Sequence, residues 1–269
     1  MGGSPAPCVY GRQGLMSAFE AHGMKWLSYS NIDMFRTDPA AWLLRYPMKI
    51  KGGSNVNMWR GIAAEHGVEQ YLTDEFGVLS VEQAIEMAVK QFSKDTALLT
   101  NGGDRDKARA DLVGYVTNGI EAMKPFGTPD ATQTRLSLRL EGCPIEIMGF
   151  DDFSYTDPNL SIDLKTTGRL PSAIMDNHKR QGALYQAMRP DYDIKFCYVT
   201  PKKFAVYDLD KDEAAEILEE YKVTVKKMET FLSLSNDARE LASIFAPSYS
   251  SFYWNDPIMR SEAKRIFGV

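Results

Sequence analysis

Ile162-Asp163-Leu164-Lys165-Thr166, with Gly149-Phe150-Asp151-Asp152 ahead of it and Gln181 and Tyr185 behind it, decides how this chain folds. The aliphatic and β-branched residues predict a short strand, and side chains along a strand alternate between its two faces. Asp163 and Lys165 then stand together on one face, while Ile162 and Leu164 enter the core. A carboxylate beside an ammonium, with a second carboxylate at the end of the preceding strand, suits metal-assisted hydrolysis. Carboxylates hold a hard divalent cation, and a lysine can orient or deprotonate a water and offset charge on a phosphoryl oxygen. Asp-x-Lys alone is commonly a solvated surface ion pair worth little. Its neighbours give it weight.

Around that stretch the hydrophobic period is two. Leu136, Leu138 and Leu140 alternate with Arg135, Ser137 and Arg139, and Ile145 and Ile147 resume the alternation into Gly149. Thr156-Asp157-Pro158-Asn159 predicts the turn into the Asp163 strand. A helix over 176–188, stopped by Arg189-Pro190, and strands over 195–200 and 204–209 follow. Upstream the pattern is helical. Ser30 is the expected N-cap of a short helix carrying Ile32, Met34 and Phe35, with Asp33 in its first turn, and Pro39 interrupts before 40–46. Longer helices are expected over 58–76, 81–99 and 106–123, the last two split by Asn101-Gly102-Gly103. Asp210-x-x-Glu213 reads as a capping box for a final helix whose Ile217, Leu218, Tyr221, Val225, Met228 and Leu232 form a core stripe.

Gly149-x-x-Asp152, Asp163-x-Lys165 and Gln181-x-x-x-Tyr185, in that order, resemble the PD-(D/E)XK nuclease superfamily, and within it the RecB-like exonucleases, which include CRISPR-associated and phage recombination enzymes. Arg60-Gly61-Ile62-Ala63-Ala64-Glu65-His66 looks like the family's first motif. The opening 27–35, Leu-Ser-Tyr-Ser-Asn-Ile-Asp-Met-Phe, is similar to its Ser-x-Ser-x-Ile-x-x-Phe start. The resemblance spans 27–209. It implies an α/β fold with a central mixed β-sheet flanked by helices and a helical insertion at 78–130, in one nuclease domain over 27–269 with a C-terminal helical segment at 210–269. Residues 1–26 are expected to be a flexible leader. It further implies a DNA exonuclease dependent on Mg2+ or Mn2+, serving recombination, repair or phage DNA metabolism. Glu65, Asp152, Asp163 and the Leu164 carbonyl would hold the metal and Lys165 would activate the attacking water. Gln181 would position the water or the phosphate, and Tyr185 the substrate strand.

Two positions stay open on sequence. Asp151 and Asp152 point opposite ways in a regular strand, and a bulge at Gly149 could exchange them; family spacing favours Asp152, leaving Asp151 a supporting or structural role. Glu65 and His66 sit about 100° apart on a helix, so both cannot face one metal squarely. Glu65 is favoured, with His66 the alternative. His178, Lys179 and Arg180, at the start of one helix, form a basic cluster expected to meet phosphates, and Thr166, Thr167 and Arg169 could add hydrogen bonds to the DNA backbone.

Composition sets limits. At 269 residues, 44% hydrophobic and 25% charged, the chain has the make-up of an ordinary globular domain, and its net charge of −5 argues against coating nucleic acid through bulk charge. Cys8, Cys143 and Cys197 are too few and too scattered for a four-cysteine iron–sulfur cluster, which some relatives in the family carry. They point to a reducing, cytoplasmic setting, with Cys143 and Cys197 as small core or turn residues. No apolar run reaches membrane-spanning length, and no Walker A sequence is present, so ATP is not expected to be needed. DNA is the expected partner, with self-association or a recombination protein compatible. A structure-specific or restriction-type endonuclease would use the same residues. A non-catalytic DNA-binding subunit of the same fold is the rival from another class.

Overall fold

The computed structural model describes residues 16–53, 55–99 and 102–268. Along the chain run α1 (Ala18–Ala21), β1 (Trp26–Ser28), α2 (Tyr29–Thr37), α3 (Pro39–Arg45), α4 (Val56–Leu72), α5 (Val81–Asp95) and α6 (Gly102–Met123). Then come β2 (Ala131–Leu138), β3 (Glu146–Tyr155), β4 (Leu160–Thr166), α7 (Asp176–Met188), β5 (Asp193–Val199), β6 (Phe204–Asp208), α8 (Lys211–Leu232), α9 (Ala238–Leu241) and α10 (Pro257–Phe267). The fold is α/β, a six-stranded mixed sheet flanked by helices. Among the described residues no helix is long and apolar enough to cross a membrane.

One face of the sheet carries Phe153, Ile162, Leu164, Cys197 and Val199, and α4, α5 and α6 close over it through Ala63, Val68, Phe92, Leu112 and Val116. Residues 78–130, expected as a helical insertion, thus contain two α-helices that build a main core. On the other face Phe196 and Tyr198 meet Ala183 and Tyr185 of α7. A third cluster, which includes Trp42, Phe231 and Trp254, joins α2, α3, α8 and α10 to Leu27 of β1 and Ile147 of β3. The stripe expected on α8 lies in it: Tyr221, Val225, Met228 and Leu232 are buried. Cys143 and Cys197 are buried free thiols, as their composition suggested.

Several boundaries differ from expectation for local reasons. The helix N-cap is Ser28, not Ser30: the Ser28 hydroxyl accepts from the Asn31 N–H at 3.3 Å. That shift leaves Trp26–Ser28 free to pair as a strand. Asp210 caps α8 alone, accepting from the N–H groups of Asp212 and Glu213. The Glu213 side chain does not close the box but turns to Lys179 at 2.6 Å. Residues 16–26, expected to belong to a flexible leader, are folded: α1 has its own capping box between Ser17 and Glu20, and Phe19, His22 and Met24 are buried. Residues 1–15, including Cys8, lie outside the described residues.

What positions the site is the way β3 is shared. Along one edge β3 pairs antiparallel with β2, from Ala131↔Ser154 to Leu138↔Ile147. Its other edge is divided. β1 pairs parallel with Glu146, Ile147 and Met148, whereas β4 pairs antiparallel with Phe153, Ser154 and Tyr155. Between these two short ladders Gly149, Phe150, Asp151 and Asp152 have no strand partner on that edge. An unpaired stretch inside a sheet needs other partners for its backbone.

Candidate active site at the gap in the sheet

Side chains fill the gap. Tyr185 of α7 reaches across and its hydroxyl donates to the Phe150 carbonyl at 2.7 Å, taking the place of a ladder bond. Its ring lies so close to Gly149 that a Cβ there would come within 2.5 Å of the tyrosine Cε1. That close approach requires the glycine. Asp152 Oδ2 likewise accepts from the Leu164 N–H at 3.0 Å, tying β3 to β4 beyond the end of their ladder.

Asp163 and Lys165 share a face of β4, as the strand period predicts. The Lys165 ammonium lies 2.5 Å from Asp163 Oδ1. The other carboxylate oxygen accepts from the Gln181 side-chain amide at 2.7 Å, and the same amide nitrogen reaches the Tyr185 hydroxyl at 3.1 Å. Gln181 and Tyr185 thus act as a pair one helical turn apart. From the opposite side of the gap, α4 brings Glu65, whose carboxylate accepts from the Gln133 amide; that amide also lies 3.4 Å from Asp152 Oδ1. Gln133 stands on β2 with φ +49°, a conformation uncommon for a side-chain-bearing residue. It was not among the residues anticipated from sequence, where it is one polar position among several on an alternating strand.

The electrostatics identify these groups as one cluster. Burial, then the negative charges of Asp163 and Glu69, push the Glu65 carboxyl up to about 7, with Lys165 opposing. Burial, then Asp163 and Glu65, raise Asp152 well above the usual carboxylate range against the pull of Lys165 and the Leu164 N–H. Burial works against the Lys165 charge, but Asp163 and Asp152 more than offset it and its pKa rises, so the side chain is an ammonium. Three carboxylates thus lie around one ammonium, and for Glu65 and Asp152 the neighbouring negative charges add to the rise that burial causes.

The residues at the two positions left open on sequence lie in different surroundings. Asp152 faces the cluster. Asp151 is fully buried, accepts from the Ser154 and Ser161 hydroxyls, and pairs with Arg189 at 3.2 Å. Glu65 belongs to the cluster, whereas His66 is half-buried and makes no hydrogen bond or ion pair to these groups among the described residues.

The basic cluster of α7 does not hold together. Three successive helical residues diverge by about 100° each. His178 is neutral, its Nδ1 2.7 Å from the Tyr198 hydroxyl, its ring stacked on Phe196 and its pKa driven down to about 3, mainly by burial. Lys179 points to Glu213 of α8. Arg180 pairs with Asp33 of α2 at 2.5 Å; of the three, it alone lines a cavity beside the site. Thr167 is committed to the loop after β4: its N–H donates to Val199, its carbonyl accepts from Tyr115, and its hydroxyl donates to the Arg169 carbonyl. Thr166 is half-buried at the end of β4 and faces α4 at Gly61, while Arg169 is exposed at the loop tip. Leu164 contributes its N–H, to Asp152.

Among the described residues no three His, Cys, Asp or Glu side chains are gathered tightly enough to hold a metal as they stand. The reason is visible: the Gln133 amide lies between Glu65 and Asp152, and Lys165 and Gln181 occupy the two oxygens of Asp163. The donor set still fits a hard divalent cation. It is all oxygen, and burial, then the neighbouring carboxylates, raise Glu65 and Asp152, which a bound cation would counter.

No protein-family model matches the chain, and no curated protein matches it. A solved structure described as "Crystal structure of SSO0001" shares 17% identity over 62% of this chain and 85% of its own, with a TM-score of 0.32. A likeness that slight carries no argument about fold or function.

Proposed function

We propose that the protein is a divalent-metal-dependent deoxyribonuclease of the PD-(D/E)XK type, and a RecB-like exonuclease within it. The observation that supports this most is the convergence of Glu65, Asp152, Asp163 and Lys165 at one gap in the sheet, from α4, β3 and β4. Residues separated by as much as a hundred positions, all of them in the stretches that carry the motif resemblance, come together there.

Glu65, Asp152 and Asp163 would hold Mg2+ or Mn2+, with the Leu164 carbonyl as a further oxygen ligand. Such a cation lowers the pKa of a bound water and neutralises charge on a phosphate. The chain's own residues do the rest. Gln181 fixes one oxygen of Asp163 and so fixes its orientation. Lys165, held protonated, orients the attacking water as a donor and offsets charge developing on the phosphoryl oxygens, rather than removing a proton. Tyr185 keeps the Gly149–Asp152 backbone in place by its bond to Phe150.

The test is direct. Linear DNA labelled at its ends should be degraded by purified protein with magnesium or manganese and spared with EDTA, while covalently closed circles survive. Asp163→Ala should abolish that degradation with an unchanged circular dichroism spectrum. An Asp163→Ala protein that degrades linear DNA at the wild-type rate overturns the assignment, and cleavage of closed circles moves it to an endonuclease.

A further inference from the structure

A cavity of about 570 Å³ opens beside the gap, lined by Tyr29, Tyr46, Phe252 and Tyr253 together with Arg45 and Arg180. Its place relative to the chemistry is fixed at two points. Tyr29 directly follows Ser28, whose partner Met148 is the last β3 residue before the gap. Asn177, also in the lining, sits one turn before Gln181 on α7, so the two side chains share a helix face. The cavity and the carboxylate cluster are therefore neighbours across one turn of α7.

Its walls are rich in aromatic rings. Phe252 is 70% exposed although it is a large apolar ring, and it lies against Tyr253 with ring centroids 4.0 Å apart. The next residue, Trp254, is fully buried and donates through Nε1 to Asp38 at 2.8 Å, which anchors the pair. Elsewhere in the lining Arg45 lies over the Tyr46 ring, and the Ser28, Ser30 and Tyr46 hydroxyls form a chain. Exposed aromatic rings held in place and edged by guanidinium groups suit flat π-faces attached to a polyanion. The bases of a duplex already stack on one another, so only an unpaired base can enter.

We propose that this cavity is a stacking subsite for an unpaired base next to the scissile phosphate, which makes single-stranded DNA the substrate. The inference rests on the nuclease reading. Phe252 and Tyr253 supply one face, Tyr46 a further ring of the lining, and Arg45 and Arg180 attract the adjoining phosphates, with Asp33 holding Arg180 in position.

The experiment compares one sequence as a labelled single strand and as a blunt duplex, measuring cleavage with magnesium or manganese and binding with calcium. Wild type should cut the single strand faster. Phe252→Ala, whose ring is too exposed to matter for folding, should melt as wild type does and bind the single strand roughly tenfold more weakly, the loss of one stacked base. Phe252→Tyr should restore binding. An abasic site walked along the oligonucleotide should weaken wild type at one position next to the cut and leave Phe252→Ala no weaker still. Equal cutting of duplex and single strand with no effect of Phe252→Ala overturns the subsite and leaves the nuclease standing. Protein that neither binds nor cuts DNA overturns both.

Discussion

On the buried side of β3, Asp151 is met by two hydroxyls and the Arg189 guanidinium, whereas Asp152, the next residue, shares one ammonium with Asp163 and Glu65. Burial raises both aspartates. For Asp151 the Ser154 and Ser161 hydroxyls and then Arg189 pull back against that rise, with Asp163 adding to it. For Asp152 the neighbouring carboxylates push the same way as burial. The first aspartate spends its charge on holding strands together. The second sits among like charges that a proton or a further cation would relieve. Adjacent residues of one chemical type thus enter different settings, one satisfied by hydroxyls and a guanidinium and the other in the proposed site, decided by the side of the strand on which they emerge.

The comparison can be broken most severely at Lys165. If it serves the Asp152 side as donor and charge stabiliser, Lys165→Ala should slow single-turnover cleavage by roughly 10²–10⁴-fold. Calcium-supported DNA binding should remain close to wild type. A variant that loses binding and cleavage together would make Lys165 an architectural group like Arg189.

Asp151 offers the converse. Removing it leaves Arg189, only 13% exposed at its side chain, without its carboxylate, and breaking a buried pair from one side costs about 3–5 kcal/mol. Asp151→Ala should therefore lower the unfolding free energy by that order in urea titration, while the fraction still folded cleaves at nearly the wild-type rate. A stable but inactive variant would place Asp151 in the reaction and erase the distinction.

The smallest expected difference is on α4. Glu65→Ala should need at least roughly tenfold more magnesium or manganese for half-maximal cleavage, about 1.4 kcal/mol, while His66→Ala should stay near wild type. Metal titration of the two variants side by side decides it, and the reverse ranking would exchange their roles.

Much of this arrangement was legible beforehand because it follows from short-range periods. The alternation of β4 places Asp163 with Lys165, and the helical period places Gln181 with Tyr185. What was not legible depends on pairings between distant segments. Trp26–Ser28 is too short to show a strand period, and its partner lies at Glu146–Met148. Gln133 gains its position only because β2 registers against β3. Arg189 looked like part of a helix stop, since nothing local announces Asp151 as its partner. The run His178-Lys179-Arg180 misled in the opposite way: neighbours in sequence, they are sent by the helix to Tyr198, Glu213 and Asp33.

The gap in the sheet has a consequence for when the protein can act. Its two borders, β1 and β4, touch β3 through three residue pairs each, and β1 arrives from far earlier in the chain. Contacts between remote segments carry the largest loop-closure cost during folding. A chain emerging from synthesis could form the β3–β4 hairpin and even the Asp163–Lys165 pair while the slot between borders did not yet exist. Assembly of the slot is therefore expected to follow formation of the hairpin. Recovery of cleavage in a refolding experiment would act as a clock for the last strand to dock, running behind any probe of secondary structure.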